Sequence, residues 1–537
     1  MPYGHLGLDP ALAPYLLREM SAEEQEEAMS RWAGAMRQLT AFLSQQQFQD
    51  AELAARLTLL ELPNLMALLL WIEDKAAPEE IFDVADKVER LLAHSGNHSA
   101  LAQATRLRER TARCFGEWGH ARFAAEGAHV DRMLERGNLE AAYTGAQQLL
   151  NRSLMEGEEA YPDAAYDVAL AHFRLGRVLE MRGDAEAALF SLTEAQQRFQ
   201  ALANTGSSSA MQMASASISE GGHCLLALGR WDEAADAHQE SINLAETRGD
   251  RRAAAVNKGQ LGAVRIRQGR YAEGLTTYHQ ARIIFEQLGE PESVATAWYQ
   301  IGMAYRCIQK FDQAEHAFQQ SLAISVQHNF LAGEAYNLND LGNLYDTMGR
   351  LEEAVKCCLR AADIYAKLKD PRHEGFARSN AADTLMKLQR YDEARPELLR
   401  AIELKKPYSH AAEAWTTWAI LYNLEQATGN QRAAAQSLQN AVASFLAYRR
   451  AGGQSRTPGA HLCALAGQAL SRDETTELEQ ELVEWSTASA PPSFKFMLAK
   501  LRAILRGSRD PALAVDPNLS FDDAVELQLL LEALNSR

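Results

Sequence analysis

Glycines and small residues recur along this chain in a fixed pattern, first at intervals of 46 residues and then at intervals of 40. One position, mostly glycine, recurs twice at 46 residues and then five times at 40 residues. Two further positions keep the same phase, which chance does not produce over so many steps. The three series are Gly137, Gly183, Gly229, Gly269, Gln309, Gly349, Gln389 and Gly429; Gly176, Gly222, Gly262, Gly302 and Gly342; and Ala281, Ser321, Ala361, Ala401 and Ala441. A repeated unit is therefore predicted.

The clearest copy of the unit is the stretch 295–328, which predicts two helices joined by a turn at 308–310. Residues three or four apart share one face of a helix, and the first helix has such a face. Its members are Trp298, Ile301, Gly302 and Tyr305. The matching stripe of the second helix is Ala314, Phe318 and Ser321. Because Gly302 has no side chain, we expect the two helices to approach closely there.

This spacing resembles the signature of the tetratricopeptide repeat, with Ile301 in place of the usual leucine. The common period is about 34 residues, so each unit here is about six residues longer. The longer form is similar to the repeats of kinesin light chains and of LGN-like adaptor proteins. The resemblance covers residues 139–446. It implies an all-α fold, a right-handed α-solenoid of helix–turn–helix repeats with helical N- and C-terminal caps.

The regularity of the pattern divides the chain into four predicted parts. Residues 1–75 form an N-terminal helical cap or junction segment, and residues 76–160 form degenerate helical repeats. Residues 161–448 form the regular array, and residues 449–537 form a C-terminal helical cap. A cap is expected because the open end of a repeat stack exposes apolar surface.

The composition of the chain limits which partners and which cellular compartment are expected. A net charge of −17 argues against nucleic acid, since phosphate binding needs a basic surface. The most apolar run, 57–72, contains Glu61 and Pro63 and is shorter than the roughly 20 residues that span a bilayer. We therefore expect two buried helices there and no membrane partner. The six cysteines lack CxxC spacing, so reduced core thiols and a cytoplasmic location are expected.

The sequence offers little chemistry. It contains no GxxxxGK[ST], HExxH or GxSxG motif, and no GxGxxG after a strand. The histidines are scattered without acidic partners at ligand spacing. We therefore predict no catalytic residue, no metal site and no cofactor, and the protein is not expected to be an enzyme.

What remains is a concave groove lined by the first helix of each unit. Its residues are predicted from their sequence spacing to the packing glycine, which is the glycine of the second series (Gly302 in the copy described above). Most of them are polar, and a few are aromatic. The predicted peptide-binding residues are Thr296, Tyr299, Met303, Arg306, Tyr336, Asn339, Asn343, Asp346, Phe376, Ser379, Asp383, Lys387 and Asn423. Asparagine amides can pair with the carbonyl and the amide of an extended peptide. Alternatively, Asn339 and Asn343 only hydrogen-bond neighbouring helices, and the sequence leaves both readings open.

Short motifs near the N-terminus carry a second resemblance. Residues 10–16, Trp32 and 60–65 resemble the junction between the nucleotide-binding module and the repeat sensor of bacterial STAND NTPases. The resemblance implies a ligand-sensing module of a signalling or defence protein, with an NTPase or effector domain as a further partner. This chain has no phosphate-binding loop, so it is not itself the NTPase. The alternatives are a free-standing adaptor and an intracellular peptide-pheromone receptor.

Overall fold

The computed structural model describes residues 20–46, 51–92, 97–112, 114, 118–408, 413–455, 457–472, 474–486, 492–516 and 518–535. These residues form 25 α-helices, a short 3-10 helix at Pro511–Ala514 and no strand. The all-α prediction is confirmed. The motif 10–16 lies outside the described residues.

The helices are numbered in chain order. They are α1 Ala22–Gln46, α2 Ala51–Leu60, α3 Leu62–Lys75, α4 Pro78–Leu92, α5 His98–Ala112, α6 His120–Glu135, α7 Leu139–Glu156, α8 Ala164–Arg182, α9 Ala185–Asn204, α10 Ser208–Ala227, α11 Trp231–Thr247, α12 Arg251–Arg267, α13 Tyr271–Leu288, α14 Pro291–Cys307, α15 Phe311–Gln327, α16 Leu331–Thr347, α17 Leu351–Leu368, α18 Pro371–Lys387, α19 Tyr391–Lys405, α20 Ala414–Ala427, α21 Gln431–Arg450, α22 Pro458–Arg472, α23 Thr475–Trp485, α24 Pro492–Leu505 and α25 Phe521–Asn535. Eight consecutive pairs, from α6 to α21, have the helix–turn–helix form.

The chain divides into two compact units, Met1–Ala297 and Trp298–Arg537. In the first unit, helices α1, α3, α4 and α5 share an apolar core that includes Ala33, Leu68 and Val88. The pairs that follow have cores of their own between neighbouring helices. The divisions predicted at residues 75, 160 and 448 stay predictions.

The turn inside each pair has one conformation throughout the array. Every predicted turn residue has positive φ, from +58° at Gln309 to +86° at Gly183. In this left-handed turn the amides of Gln309 and Lys310 donate to the carbonyls of Arg306 and Tyr305, closing the helix end. Glycine adopts this conformation without strain, which explains why it recurs at the position. The prediction of equivalent turns is confirmed.

The second glycine series marks the closest approach between the two helices of a pair. A Cβ atom built on Gly176, Gly222, Gly262 or Gly302 would lie 2.6–2.9 Å from a side chain of the second helix. The side chain it would meet is always sixteen positions later, as with Gly302 and Phe318. Gly342 meets Cys358 in the same way. These glycines therefore occupy equivalent places, as the sequence predicts.

The units of 40 residues owe their extra length to their helices. Helices α12 to α18 are 17 or 18 residues long. Only two residues separate α13 from α14, and two separate α17 from α18. One residue of each such link, Gly289 or Lys369, has positive φ. The added residues therefore lengthen the packed surface and leave almost no loop.

In the second unit the last helix lies against the last pair of the array. The Phe521 ring of α25 meets the Phe445 ring of α21 edge-on, with 5.9 Å between centroids. Arg449 of α21 forms an ion pair with the buried carboxylate of Glu526, with a separation of 2.7 Å. Helices α22 to α25 also share an apolar core. This arrangement covers the end of α20 and α21, as expected of a cap.

The cysteine prediction holds in part. The structure contains no disulfide among the described residues, and Cys224, Cys358 and Cys463 are buried. Cys114 and Cys307 are exposed, so they are not core thiols.

In the apolar N-terminal run, Leu65 and Leu68 are buried while Leu70 is exposed. Among the described residues no single helix is long and apolar enough to cross a membrane. The helix pair Leu53–Leu60 and Leu62–Lys75, bent by 66°, has the combined length and composition of a broken membrane span.

Two glycines on α12 give a matched test of the packing. Gly262→Ala places a methyl group 2.9 Å from the buried Tyr278 ring and should lower the stability of the array by about 1–3 kcal/mol. Gly259 has open space around it, so Gly259→Ala should raise stability by about 0.5–1 kcal/mol. Chemical denaturation followed by circular dichroism measures both. Effects of equal sign would contradict the packing role of Gly262.

Candidate functional site

The first helices of consecutive pairs are the surface to which the sequence assigns a ligand. In the second unit, α16 contacts α18 and α18 contacts α20 directly. The second helices α17, α19 and α21 approach one another less closely. A stack of helix pairs curves toward the side on which its helices are closer, so the first helices line the inner side.

The buried carboxylate of Asp340 joins α14 to α16. It accepts a hydrogen bond of 2.6 Å from the Tyr299 hydroxyl and one of 2.9 Å from Arg306 Nη1. Burial, followed by the Asp340 charge, raises the pKa of Tyr299, so this hydroxyl keeps its proton. Two of the predicted groove residues are therefore held by a third group on the next repeat.

A second carboxylate, six residues further along α16, joins this helix to α18. Asp346 accepts from Thr384 Oγ1 at 3.1 Å and from Lys387 Nζ at 2.6 Å. Lys387 also lies 3.1 Å from Asp383. Burial lowers the pKa of Lys387, but the contacts with these two carboxylates outweigh it and raise the pKa. The charges on this surface are thus largely neutralised internally.

The asparagines differ in how far they are already used. Asn339 Oδ1 accepts a hydrogen bond of 3.2 Å from Asn380, and its amide nitrogen makes none to a described residue. The side chains of Asn343, half-buried, and Asn423, exposed, make no hydrogen bond within the described part of the chain. The reading in which the asparagines hydrogen-bond neighbouring helices therefore holds for the Oδ1 atom of Asn339 but not for the described surroundings of Asn343.

Aromatic side chains from three helices of the second unit meet beside the asparagines. Tyr336, 42% exposed, meets Tyr365 and His373 edge-on at 5.9 and 5.6 Å. His373 stacks on Tyr365 at 5.3 Å and lies 6.5 Å from Phe376. Burial raises the pKa of Tyr365. Tyr336 is thus the accessible edge of an ordered aromatic cluster.

A buried lysine lies under this cluster. Lys405 is 1% exposed, and its ammonium lies 4.2 Å from the centre of the Phe376 ring. It donates a hydrogen bond of 2.9 Å to Thr417 Oγ1, and no carboxylate forms an ion pair with it among the described residues. Burial lowers the pKa of Lys405 to about 8, partly offset by the charge of Glu413.

Comparison with known proteins identifies the repeat. Sequence profiles described as tetratricopeptide repeat match residues 219–252, 251–325 and 332–406. The chain contains tetratricopeptide repeats. The matched segments begin in α10 and end just after α19, so they include most of the surface described above. No curated protein sequence matches the chain.

Several solved structures resemble this chain. The apo form of RapI is 14% identical over 72% of this chain and 97% of its own, with a TM-score of 0.48. A STAND protein with a tetratricopeptide repeat sensor from Pyrococcus horikoshii is 14% identical over 76% of this chain and 72% of its own, with a TM-score of 0.46. The nearly identical repeats of a putative kinesin light chain from Podosopora anserina are 15% identical over 40% of this chain and 99% of theirs, with a TM-score of 0.34. The assignment of tetratricopeptide repeats rests on the matching sequence profiles and not on these structures.

Not every predicted groove residue is available on the repeat surface. Ser379 is 4% exposed, and its hydroxyl bonds to the Gly375 carbonyl and to Thr417. Met303 packs partly into the core between repeats. Thr296 is exposed, belongs to the first unit and donates to the carbonyl of Glu292.

Sequence reasoning missed the groups that hold this surface together. They are Asp340, Tyr365, His373, Asn380, Thr384 and Lys405, as described above. The sequence does carry a signal for Asp340 and Asn380. They lie two residues before Gly342 and before Ala382, which takes the place of the packing glycine one repeat later. Lys405 gave none, because a lysine near a helix end is normally exposed.

In the first unit, a cleft of about 920 Å³ contains a further polar cluster. His120 Nδ1 lies 2.9 Å from the fully buried Asp167, which also accepts from the Tyr161 hydroxyl at 2.9 Å. The hydrogen bond to Asp167 raises the pKa of His120, so the imidazole stays charged to higher pH. The sequence could not show the partner of His120, which lies 47 positions away. The prediction that the histidines lack acidic partners at ligand spacing is wrong for His223 and His373, which have Glu220 and Asp370 three positions before them.

The buried lysine makes a testable contribution to the pH dependence of stability. Folded Lys405 loses its proton near pH 8 and unfolded lysine near pH 10.4, so between these values the unfolded chain binds more protons. The wild type should therefore gain about 1–3 kcal/mol relative to Lys405→Met as pH rises from 7 to 10. Thermal melts of both proteins across this range measure the difference. A constant difference would show that Lys405 is not buried as described.

Proposed function

We propose that this chain is a non-enzymatic scaffold that binds an extended peptide, free or within a partner protein, along the first helices of the second unit. One observation carries the proposal. The amides of Asn343 and Asn423 stand at the same place in their repeats, 80 residues apart, and neither is used internally. Tetratricopeptide repeats present this surface as a binding face.

The chemistry of the surface fits a neutral backbone better than a charged ligand. An asparagine amide offers a donor pair and an acceptor, which match the carbonyl and amide of one peptide residue. Arg306 and Lys387 are held by Asp340 and Asp346, so their charges are not free for a ligand. The exposed edge of Tyr336 supplies an apolar contact for a side chain. Binding should therefore depend little on salt.

The test is a peptide selection followed by variants of the asparagines. We expect peptides selected on the wild-type chain to bind Asn339→Ala/Asn343→Ala about 10–100-fold more weakly, since two or three hydrogen bonds of about 1 kcal/mol each are lost. Asn440→Ala, on the second helix α21, is the matched control and should bind as the wild type does. Calorimetry gives the affinities, and melting curves check the fold.

Two results would contradict the proposal. One is unchanged affinity of the double variant for every selected peptide. The other is an equal loss with Asn440→Ala, which would place the binding site on another surface.

We propose that this chain is the sensor of a STAND-type signalling or defence protein. The proposal rests on the sequence resemblance near the N-terminus. In the described part of that segment, Pro63 lies in the first turn of α3 and Asn64 donates to Glu61 at 2.8 Å, an ordered helix junction. Tagged full chain purified from its host should carry a stoichiometric NTPase, identified by mass spectrometry. Recovery without any NTPase would instead favour the adaptor or the peptide receptor.

A further inference from the structure

Two glutamates and a histidine converge on the first helices of the first unit. Glu220 and His223 lie three residues apart on α10, and Glu180 projects from the neighbouring first helix α8. His223 Nδ1 lies 3.5 Å from Glu220 Oε2 and 3.7 Å from Glu180 Oε1. All three ligand atoms lie within 4.8 Å of one another, and each residue is partly buried.

We propose that Glu180, Glu220 and His223 bind one divalent first-row transition-metal ion. The set combines one imidazole nitrogen with two carboxylates, which suits zinc, manganese or iron better than magnesium or calcium. Ligand atoms about 2.1 Å from a common ion lie about 3.0–3.5 Å apart, so two of the three separations need to shrink little. A Glu-x-x-His pair with a glutamate from a facing helix is also the arrangement that holds metals inside helical bundles.

The surroundings supply an independent reason to expect a ligand. His238 is fully buried beside this cluster, with its ring centre 5.4 Å from that of His223. Its Nδ1 lies 3.2 Å from Asn257 Oδ1, while its Nε2 has no hydrogen-bond partner in the described residues. The buried Nε2 of His223 has none either. The region therefore holds more polar capacity than the described chain satisfies, which a bound ion and its waters would use.

The charges in this cluster also fit a second explanation, in which no metal ion binds. Burial and the neighbouring Glu220 carboxylate raise the pKa of Glu180, whereas the hydrogen bond with His223 lowers the pKa of Glu220 despite its burial. Arg177 lies near enough to act on both carboxylates and supplies part of that positive charge. Without a metal, the cluster would be a proton shared between the two glutamates beside a charged His223. Metal titration separates these two states.

The site has a definite place in the repeat. His223 follows the packing glycine Gly222, as Asn343 follows Gly342, and Glu180 lies four residues after Gly176, as Asp346 does after Gly342. The ion would therefore sit on the inner-side register of the first unit. Three protein ligands leave coordination positions open to water or to a further ligand. This inference is independent of peptide binding by the second unit.

The experiment uses the full chain freed of metal with a chelator. We expect Co²⁺ to bind with one ion per chain by calorimetry and to produce visible absorption bands, which one equivalent of Zn²⁺ abolishes. Glu220→Gln and His223→Gln should each weaken binding by at least about tenfold. Glu233→Gln, an exposed glutamate on α11, is the control and should leave the affinity unchanged.

Melting curves of the metal-free variants check that they fold. If a variant is unfolded, Glu180→Gln, which removes a ligand from the other helix, takes its place. Binding by the wild type no stronger than by Glu180→Gln and His223→Gln would overturn the proposal and leave the proton-sharing pair. Loss of Co²⁺ binding would not alter the peptide test, because that test measures residues of the second unit only.

Discussion

The close approach of two helices at a glycine is the contact on which the array depends. At Gly302 the backbone of α14 lies directly against the Phe318 ring of α15, and at Gly342 α16 meets Cys358 in the same manner. Apolar packing of this kind stabilises a repeat only when neighbouring helices exclude water together. Because five consecutive repeats supply the same contact, this part of the array is built from like units.

The same geometry explains why polar groups collect on the first helices. Where these helices come near one another, polar side chains can reach the next repeat, and the buried Asp340 is paired with Tyr299 and Arg306. A buried carboxylate without such partners would be costly. Once the pairs are made, the groups that remain unused stand out. Among the described residues they include the amides of Asn343 and Asn423 in the second unit, and the Nε2 atoms of His223 and His238 in the first.

Both proposed sites thus include polar groups that lack partners within the described chain and that occupy equivalent positions of the repeat. In the second unit the leftover groups are neutral amides beside an aromatic edge, which suits a peptide backbone. In the first unit they are imidazole nitrogens beside two carboxylates, a set that suits a metal ion. Repeats can differ in this way because the contacts at the glycines and turns hold the fold, leaving the inner-side residues free to vary.

The sequence by itself determined the repeat, the turns and the packing glycines, because these depend on local spacing and on backbone freedom at residues such as Gly302. It also located the inner-side positions of Asn339, Asn343 and Asp346, since their phase follows from the glycine. Only the tertiary structure decided which side chains are already used. Asp340 pairs with Arg306, Asp167 with His120 and Glu180 with His223, and these partners lie 34 to 47 positions apart, so no local pattern shows the pairs. Burial of Ser379 and Lys405 likewise arises from neighbouring helices, whose exact packing no local spacing specifies.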